Sequence, residues 1–410
     1  MRYTIKGLRA IEILDSRGNP TVEVHLEIEG VIKTIASVPS GASTGSKEAV
    51  ELRDKDSRYM GKGVKNAIDN VNNIIKHKIL NRSFESQGQF DKALLDLDST
   101  PNKSNLGANA ILPTSIAFAK AISIANDLPL YKSLGTGNAI PTPLLNVING
   151  GAHADNELDI QEFMIIPNGF DSLSDKMRAA CEVYHTLKKN LMKEGYSTNV
   201  GDEGGFAPQL KSAKDALEQI CKAVRDAGYI LGEQIVLGLD VAASEFYEDG
   251  KYHLKGEGLV LDYKGMSSYL ETLATEYPIA SIEDPMSEHD IEGWMHITRQ
   301  LGGKIQIVGD DVFVTNPILI EKGIDDGYAN AVLIKPNQIG TVTECLKAIG
   351  VSHRASLKTI ISHRSGETED TFIAHLSVAV NAGQIKTGAP TRGERVAKYN
   401  ELLRIEAGLI

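Results

Sequence analysis

Cysteine is scarce in this chain: three in 410 residues, Cys181, Cys221 and Cys345, set far apart. That spacing excludes a disulfide framework and a zinc-type ligand set, and it fits a reducing cytosol. A surplus of positive charge is also lacking. Lys and Arg total 43 against 54 Asp and Glu, a formal net charge of −11. Nucleic acid is therefore not expected as the main partner, since no basic excess exists to neutralise phosphates. A small anion is still compatible, held by a local cluster or a metal. No run of 18 apolar residues occurs, so no membrane span is expected. The opening MRYTIKGLRAIEIL has no apolar core of the secretory-leader kind. No G-x-G-x-x-G follows the first strand, which counts against an open dinucleotide-binding sheet.

What is present falls into two textures. In TVEVHLEIEG, Val22, Val24, Leu26 and Ile28 alternate with Glu23, His25, Glu27 and Glu29, the period of a strand with one wet face. IKTIASVPSG reads as its partner across a Glu-Gly turn. Val64, Ile68, Val71, Ile75 and Ile79 then fall at helical spacing. GANAILPTSIAFAKAISIAND predicts a longer, more buried helix, kinked or restarted at Pro113. Residues 1–134 thus read as a small α+β domain, followed by a Gly- and Pro-rich linker. From 135 to 410 the texture is different. Short continuous apolar runs, IVLGLD, IASIED, IQIVGD, AVLIKP and KTIISH, start roughly 25 to 45 residues apart, the size of a βα unit. Continuous rather than alternating runs indicate parallel strands covered on both faces. The fold class expected is α/β, a βα barrel with a smaller N-terminal domain.

Each run ends in charge: Asp240, Glu283 with Asp284, Asp310 with Asp311, Lys335, and His363. In a βα barrel these ends share one mouth, where chemistry sits. Clustered carboxylates repel unless a cation binds them, and oxygen-only ligands suit a hard ion such as Mg²⁺. Asp240, Glu283 and Asp310 are read as metal ligands, Asp284 and Asp311 as helix caps. Lys335 is read either as a base or as an ion-pair partner of one of the acids. In SHRSGETED, the adjacent His363, Arg364 and Ser365 suit a phosphate or carboxylate, though Ser365 also begins a helix well. NVGDEGGFAP sets Asp202 and Glu203 before two glycines, a tight turn or a close approach to a ligand. NGGAHADNELDIQEF places His153 in a loop, where a lone histidine is ordinarily solvated, with Gln161 and Glu162 beyond it. PSGASTG is a linker or a mobile lid.

Together PSGASTG, NGGAHADN, DIQEFM, NVGDEGGFAP, SIEDP, VGDDVFVTN, LIKPNQIGT, SHRSGETED and IKTGAP resemble the enolase family, over nearly the whole chain and in order. The resemblance implies a barrel of modified topology whose first elements are not strictly βαβα. It implies reversible Mg²⁺-dependent dehydration of 2-phospho-D-glycerate to phosphoenolpyruvate, in glycolysis and gluconeogenesis. Two Mg²⁺ ions per site are implied, the second arriving with substrate. Asp240, Glu283 and Asp310 match the first ion's ligands, and Ser43 of the lid helps hold the second. Lys335 matches the base at C2 and Glu203 the acid at the C3 hydroxyl, with Glu162 beside it. Lys386 matches the lysine at the substrate carboxylate, and His153 the loop histidine that closes over it. Substrate contacts are implied at His153, Glu162, Glu283, Asp310, Lys335, His363, Arg364, Ser365 and Lys386.

In this scheme concentrated positive charge makes the carboxylate dianion accessible and holds Lys335 neutral, while Glu162 raises the pKa of Glu203. Ala152, Pro113 and Gly393 depart from the family pattern, and none removes a charged site residue. The Arg364-Ser365 pair argues against a related cycloisomerase or racemase acting on a non-phosphorylated acid. By family analogy a homodimer or octamer is expected, in the cytoplasm, with a surface or secreted fraction. Plasminogen and RNA-decay assemblies are further expected partners. The plasminogen role often uses a C-terminal lysine, and this chain ends GLI.

Overall fold

The computed structural model describes residues 2–30 and 32–410. The N-terminal part holds a four-stranded antiparallel sheet of β1 (Tyr3–Leu14), β2 (Pro20–Ile28), β3 (Ile32–Ser37) and β4 (Ser83–Phe84), in the order β3-β2-β1-β4. On β2 the expected alternation is realised: Val22, Val24, Leu26 and Ile28 are buried, while Glu23, His25 and Glu27 are half-exposed. The longest strand, β1, occupies the opening stretch of the chain, which carries no clean period-two signal in its residues. A bulge near Gly7 shifts its register against β2.

The helical segment spanning Lys65–Ile79 buries Val71, Ile75 and Ile79 as its spacing requires. Its middle, Asn70–Ile75, widens into a π-turn, from which Asn72 exchanges hydrogen bonds with the backbone of Ala10 (2.8 and 3.0 Å). The helix Ala108–Ala125 runs as one element through Pro113, correcting the expected restart. Pro113 forfeits one backbone hydrogen bond, but 14 of the 18 residues are buried, and that packing holds the helix together. By length and composition this helix could cross a membrane, but here it is packed inside the molecule.

Eight strands close into a barrel: β5 (Thr142–Asn149), β6 (Glu162–Ile166), β7 (Val236–Asp240), β11 (Ile279–Glu283), β12 (Gln306–Gly309), β13 (Ala331–Ile334), β14 (Lys358–Ser362) and β15 (Gly383–Lys386). Between β7 and β11 a small antiparallel flap is formed by β8 (Tyr247–Glu248), β9 (Lys251–Leu254) and β10 (Leu259–Leu261). All barrel neighbours are parallel except that β6 runs antiparallel to both β5 and β7. The loop between β5 and β6 returns directly, with no crossover helix, so β6 must reverse. Its first residue, Glu162, therefore arrives at the mouth where the other strands end, paired with Asp240.

Period two sets what the barrel holds inside. Leu144, Met164, Ile166, Val308, Ala331, Leu333 and Ile360 form an apolar cluster of their own, separate from the main core. Two residues further toward the mouth, on the same strands or directly after them, stand Asn146, Glu162, Asp310, Lys335 and Ser362. The charged mouth is thus the next inward layer above an apolar floor.

The N-terminal part sits against this barrel. Asp91 accepts from the backbone N–H of Thr343 (2.9 Å) and from Ser115, capping a barrel helix from outside. Ser40 and Gly366 form an antiparallel bridge.

Candidate active site

At the mouth, Asp240, Glu283 and Lys386 are the last residues of β7, β11 and β15, while Asp310 and Lys335 follow β12 and β13 directly. The Lys386 ammonium donates to Asp240 Oδ2 (2.8 Å) and to both oxygens of Glu283 (2.9 Å each), with Glu162 Oε2 at 3.2 Å. Lys335 pairs with Asp310. The three expected metal ligands therefore lie at the ends of neighbouring strands, Asp240 and Glu283 sharing Lys386 and Asp310 paired with Lys335. Among the described residues, the groupings whose potential ligand atoms all lie within 4.8 Å of one another are His153–Glu162–Glu203 and Asp284–Asp310–Asp311, which share Asp310 with the expected set but leave out Asp240 and Glu283.

The second grouping corrects the expectation that Asp284 and Asp311 cap helices. Asp284 has a left-handed backbone (φ 41°), which turns its carboxylate inward to accept from the N–H groups of Asp310 (2.8 Å) and Asp311 (3.0 Å).

Six carboxylates, Glu162, Glu203, Asp240, Asp284, Asp310 and Asp311, line the cleft with only three permanent cations, Lys335, Arg364 and Lys386. Burial and neighbouring acids push Glu162, Glu283 and Asp284 well above the usual carboxylate range. The same causes push Asp311 up to about 8. Burial opposes ionisation of Asp240 too, but contact with Lys386 outweighs it and holds that acid low. Gln161 Oε1 is a buried acceptor that receives no hydrogen bond, and Glu162 Oε2 has the Lys386 ammonium at 3.2 Å but no hydrogen bond of good geometry. Oxygen donors, acid in excess of fixed cation, and an unfilled acceptor fit a hard divalent ion.

Two expected pKa directions are reversed. Burial penalises charge on Lys335, yet the Asp310 carboxylate more than compensates and places the ammonium above its ordinary range. Glu203 stands well below its usual value despite burial, because His363, His153 and Arg395 face it. The raised member of the Glu162–Glu203 pair is Glu162.

His363 itself is pushed down to about 4 by burial. Its tautomer follows from chemistry. Arg395 can only donate, and it lies 2.5 Å from Nδ1, so Nδ1 accepts and the proton sits on Nε2. Nε2 is 3.5 Å from Glu203 Oε1. Asn146 donates to the other Glu203 oxygen (3.0 Å). His153 is buried rather than solvated, its Nδ1 3.5 Å from Glu162 and 3.8 Å from Glu203.

His363, Arg364 and Ser365 are all buried, and the next helix starts only at Phe372, so Ser365 caps nothing. Arg364 is gripped by Glu48 (2.8 and 3.1 Å), by the Ser43 carbonyl (3.0 Å) and by Asn337 (3.3 Å). Ser43 lines the cleft. The PSGASTG stretch is docked on the mouth, where Ser46 donates to Glu288 (2.8 Å). Gly41 is required there by proximity, since a Cβ would stand 2.1 Å from Arg364.

Ala152 is exposed in the turn before His153. Gly393 opens the helix Gly393–Glu406, with nothing near its missing side chain, so it loosens no packing.

Sequence reasoning missed Arg395, Glu48, Gln338 and Asn146. Asn146 left one signal, a polar residue inside the apolar run LLNVIN. Arg395 and Gln338 lay unremarked inside TRGERVAKYN and LIKPNQIGT.

Comparison with known families matches residues 5–134 to the model described as enolase, N-terminal domain. Residues 137–410 match that described as enolase, C-terminal TIM barrel domain.

Proposed function

The chain belongs to the enolase family, and from that premise we propose that it dehydrates 2-phospho-D-glycerate reversibly to phosphoenolpyruvate. One observation carries the reading: two lysines and an arginine converge with a ring of buried carboxylates at a single barrel mouth. Asp240, Glu283 and Asp310 would hold one Mg²⁺, and Ser43 would help hold a second. Bound there, the metal supplies positive charge that stabilises a carboxylate dianion.

Lys335 takes the proton from C2. For this it must be neutral. Burial, Arg364 and Lys386 all favour that state, and the surrounding acids, Asp310 first, with Glu283, Asp240 and Asp311, oppose it. Engagement of those acids elsewhere removes the opposition. The electron pair left at C2 forms the C2–C3 double bond and expels the C3 hydroxyl, which leaves as water with a proton from Glu203. Glu203 is the member of the pair held low here, so it must first take up that proton, and the adjacent source is Glu162, which burial and Glu203 hold well above the usual carboxylate range.

Lys386 sits opposite the substrate carboxylate, where its fixed charge offsets the second negative charge that develops. Arg364 and Ser365, with His363 beneath, bind the phosphate. His153 covers the substrate and excludes water. The phosphate-binding set favours this substrate over a non-phosphorylated acid.

The test is ultraviolet absorbance during incubation with 2-phosphoglycerate. Absorbance should rise with Mg²⁺ present and stay flat after chelation. A flat trace with metal present would sink the proposal.

A further inference from the structure

Gln338 lies three residues after Lys335, in the short helix Pro336–Ile339, and is 1% exposed. Its carbonyl oxygen accepts from the Thr315 hydroxyl (2.7 Å). The same hydroxyl accepts from the backbone N–H of Lys335 (2.9 Å). With one end of the amide fixed, the nitrogen end turns toward two carboxylates: Asp310 Oδ1 at 2.9 Å and Glu48 Oε1 at 3.3 Å. The reverse orientation would aim a carbonyl oxygen at two anions, so chemistry assigns the amide this way round. Glu48 in turn grips both terminal nitrogens of Arg364. The resulting chain of contacts joins Thr315, Asp310 and Arg364, and crosses from the barrel to the N-terminal part.

The residue type matters here. A carboxylate at 338 would add a third anion to the pair it touches. An ammonium would pair with Asp310 and compete with any cation there. A buried amide holds both acids by hydrogen bonds without changing the local charge. Asp310 is thereby split in function: Oδ1 is tethered to Gln338, and Oδ2 faces Lys335.

We propose that Gln338 is a positioning residue that aims Asp310 at a divalent cation and ties it to Glu48, which sets Arg364 for an anion. The inference rests on the function proposed above. It goes beyond it by predicting that the metal and anion subsites are coupled through one uncharged side chain.

The experiment uses the full chain and two calorimetric titrations: Mg²⁺ alone, then inorganic phosphate at saturating Mg²⁺. Q338M keeps the length of the side chain and loses its donors. Its Mg²⁺ affinity should fall about tenfold, as for other residues that orient metal ligands, and its phosphate affinity should fall as well. T315V should shift both in the same direction by less, and T315S should restore them. Turnover of Q338M should recover at high Mg²⁺, which general structural damage would not allow. Affinities in Q338M within about twofold of wild type would overturn the proposal, and a loss in only one titration would overturn the coupling. If Q338M does not fold, the threonine pair decides, and equal affinities in T315V and T315S overturn it. A wild-type chain that binds no Mg²⁺ overturns the proposed function together with this inference; an unaffected variant beside a binding wild type overturns the inference alone.

Discussion

At the floor of the barrel, Leu144, Met164, Ile166, Val308, Ala331, Leu333 and Ile360 pack on one another out of water. At the mouth, one inward layer further along the same strands, acids crowd around Lys335 and Lys386. The floor is made of groups that gain by burial. The mouth is made of groups that lose by it: four acids are held above their usual range for want of countercharge. The difference teaches where free energy is stored. The floor closes the barrel, and its stability tolerates a mouth that would relax if a cation arrived.

Variants at the two levels should therefore fail differently. The largest effect is expected for Lys335→Ala, which removes the proposed base. Turnover should drop by about 10²–10⁴-fold or more, measured at saturating Mg²⁺ and substrate. A smaller drop would return Lys335 to the role of an ion-pair partner of Asp310. One layer below, Leu333→Ala should cost about 2–5 kcal/mol of stability in denaturant unfolding, since its side chain is fully buried. Unchanged stability there would erase the distinction between floor and mouth.

The mildest contrast lies in pH. Asp311 titrates at about 8 in the fold against an ordinary 3.8, so the folded state holds a proton that the unfolded chain has released. Its contribution to stability is present below about 3.8 and is lost as pH rises through about 8. In the metal-free protein the melting temperature should therefore carry a component that falls across this window. Asp311→Asn should flatten that component, and Mg²⁺ should flatten it in the wild type. An identical profile in Asp311→Asn would remove the crowding argument.

How much of this was legible depended on whether a side chain's place follows from its own strand. Asp240, Glu283, Asp310, Lys335 and Arg364 follow or close apolar runs, and parallel strands bring such ends together whatever the helices between do. The reversal of β6 was not legible from its residues, because the continuous run EFMII carries no direction; only family resemblance pointed to a departure there. The inward turn of Asp284 depends on a left-handed backbone that a non-glycine residue rarely advertises. Arg395 reaches His363 from a helix that starts about thirty residues later, a contact made by packing alone. The pKa directions of Lys335 and Glu203 were misjudged because they follow from the nearest partner, Asp310 in one case and the histidines in the other.

The central claim is that Lys335 withdraws a proton at C2 while Glu203 acts only at the departing hydroxyl. Exchange of the C2 proton of 2-phosphoglycerate with deuterated solvent, followed by NMR, separates the two steps. With Mg²⁺, Glu203→Gln should exchange that proton while forming little product, and Lys335→Ala should do neither. Equal loss of exchange in both variants would contradict the account.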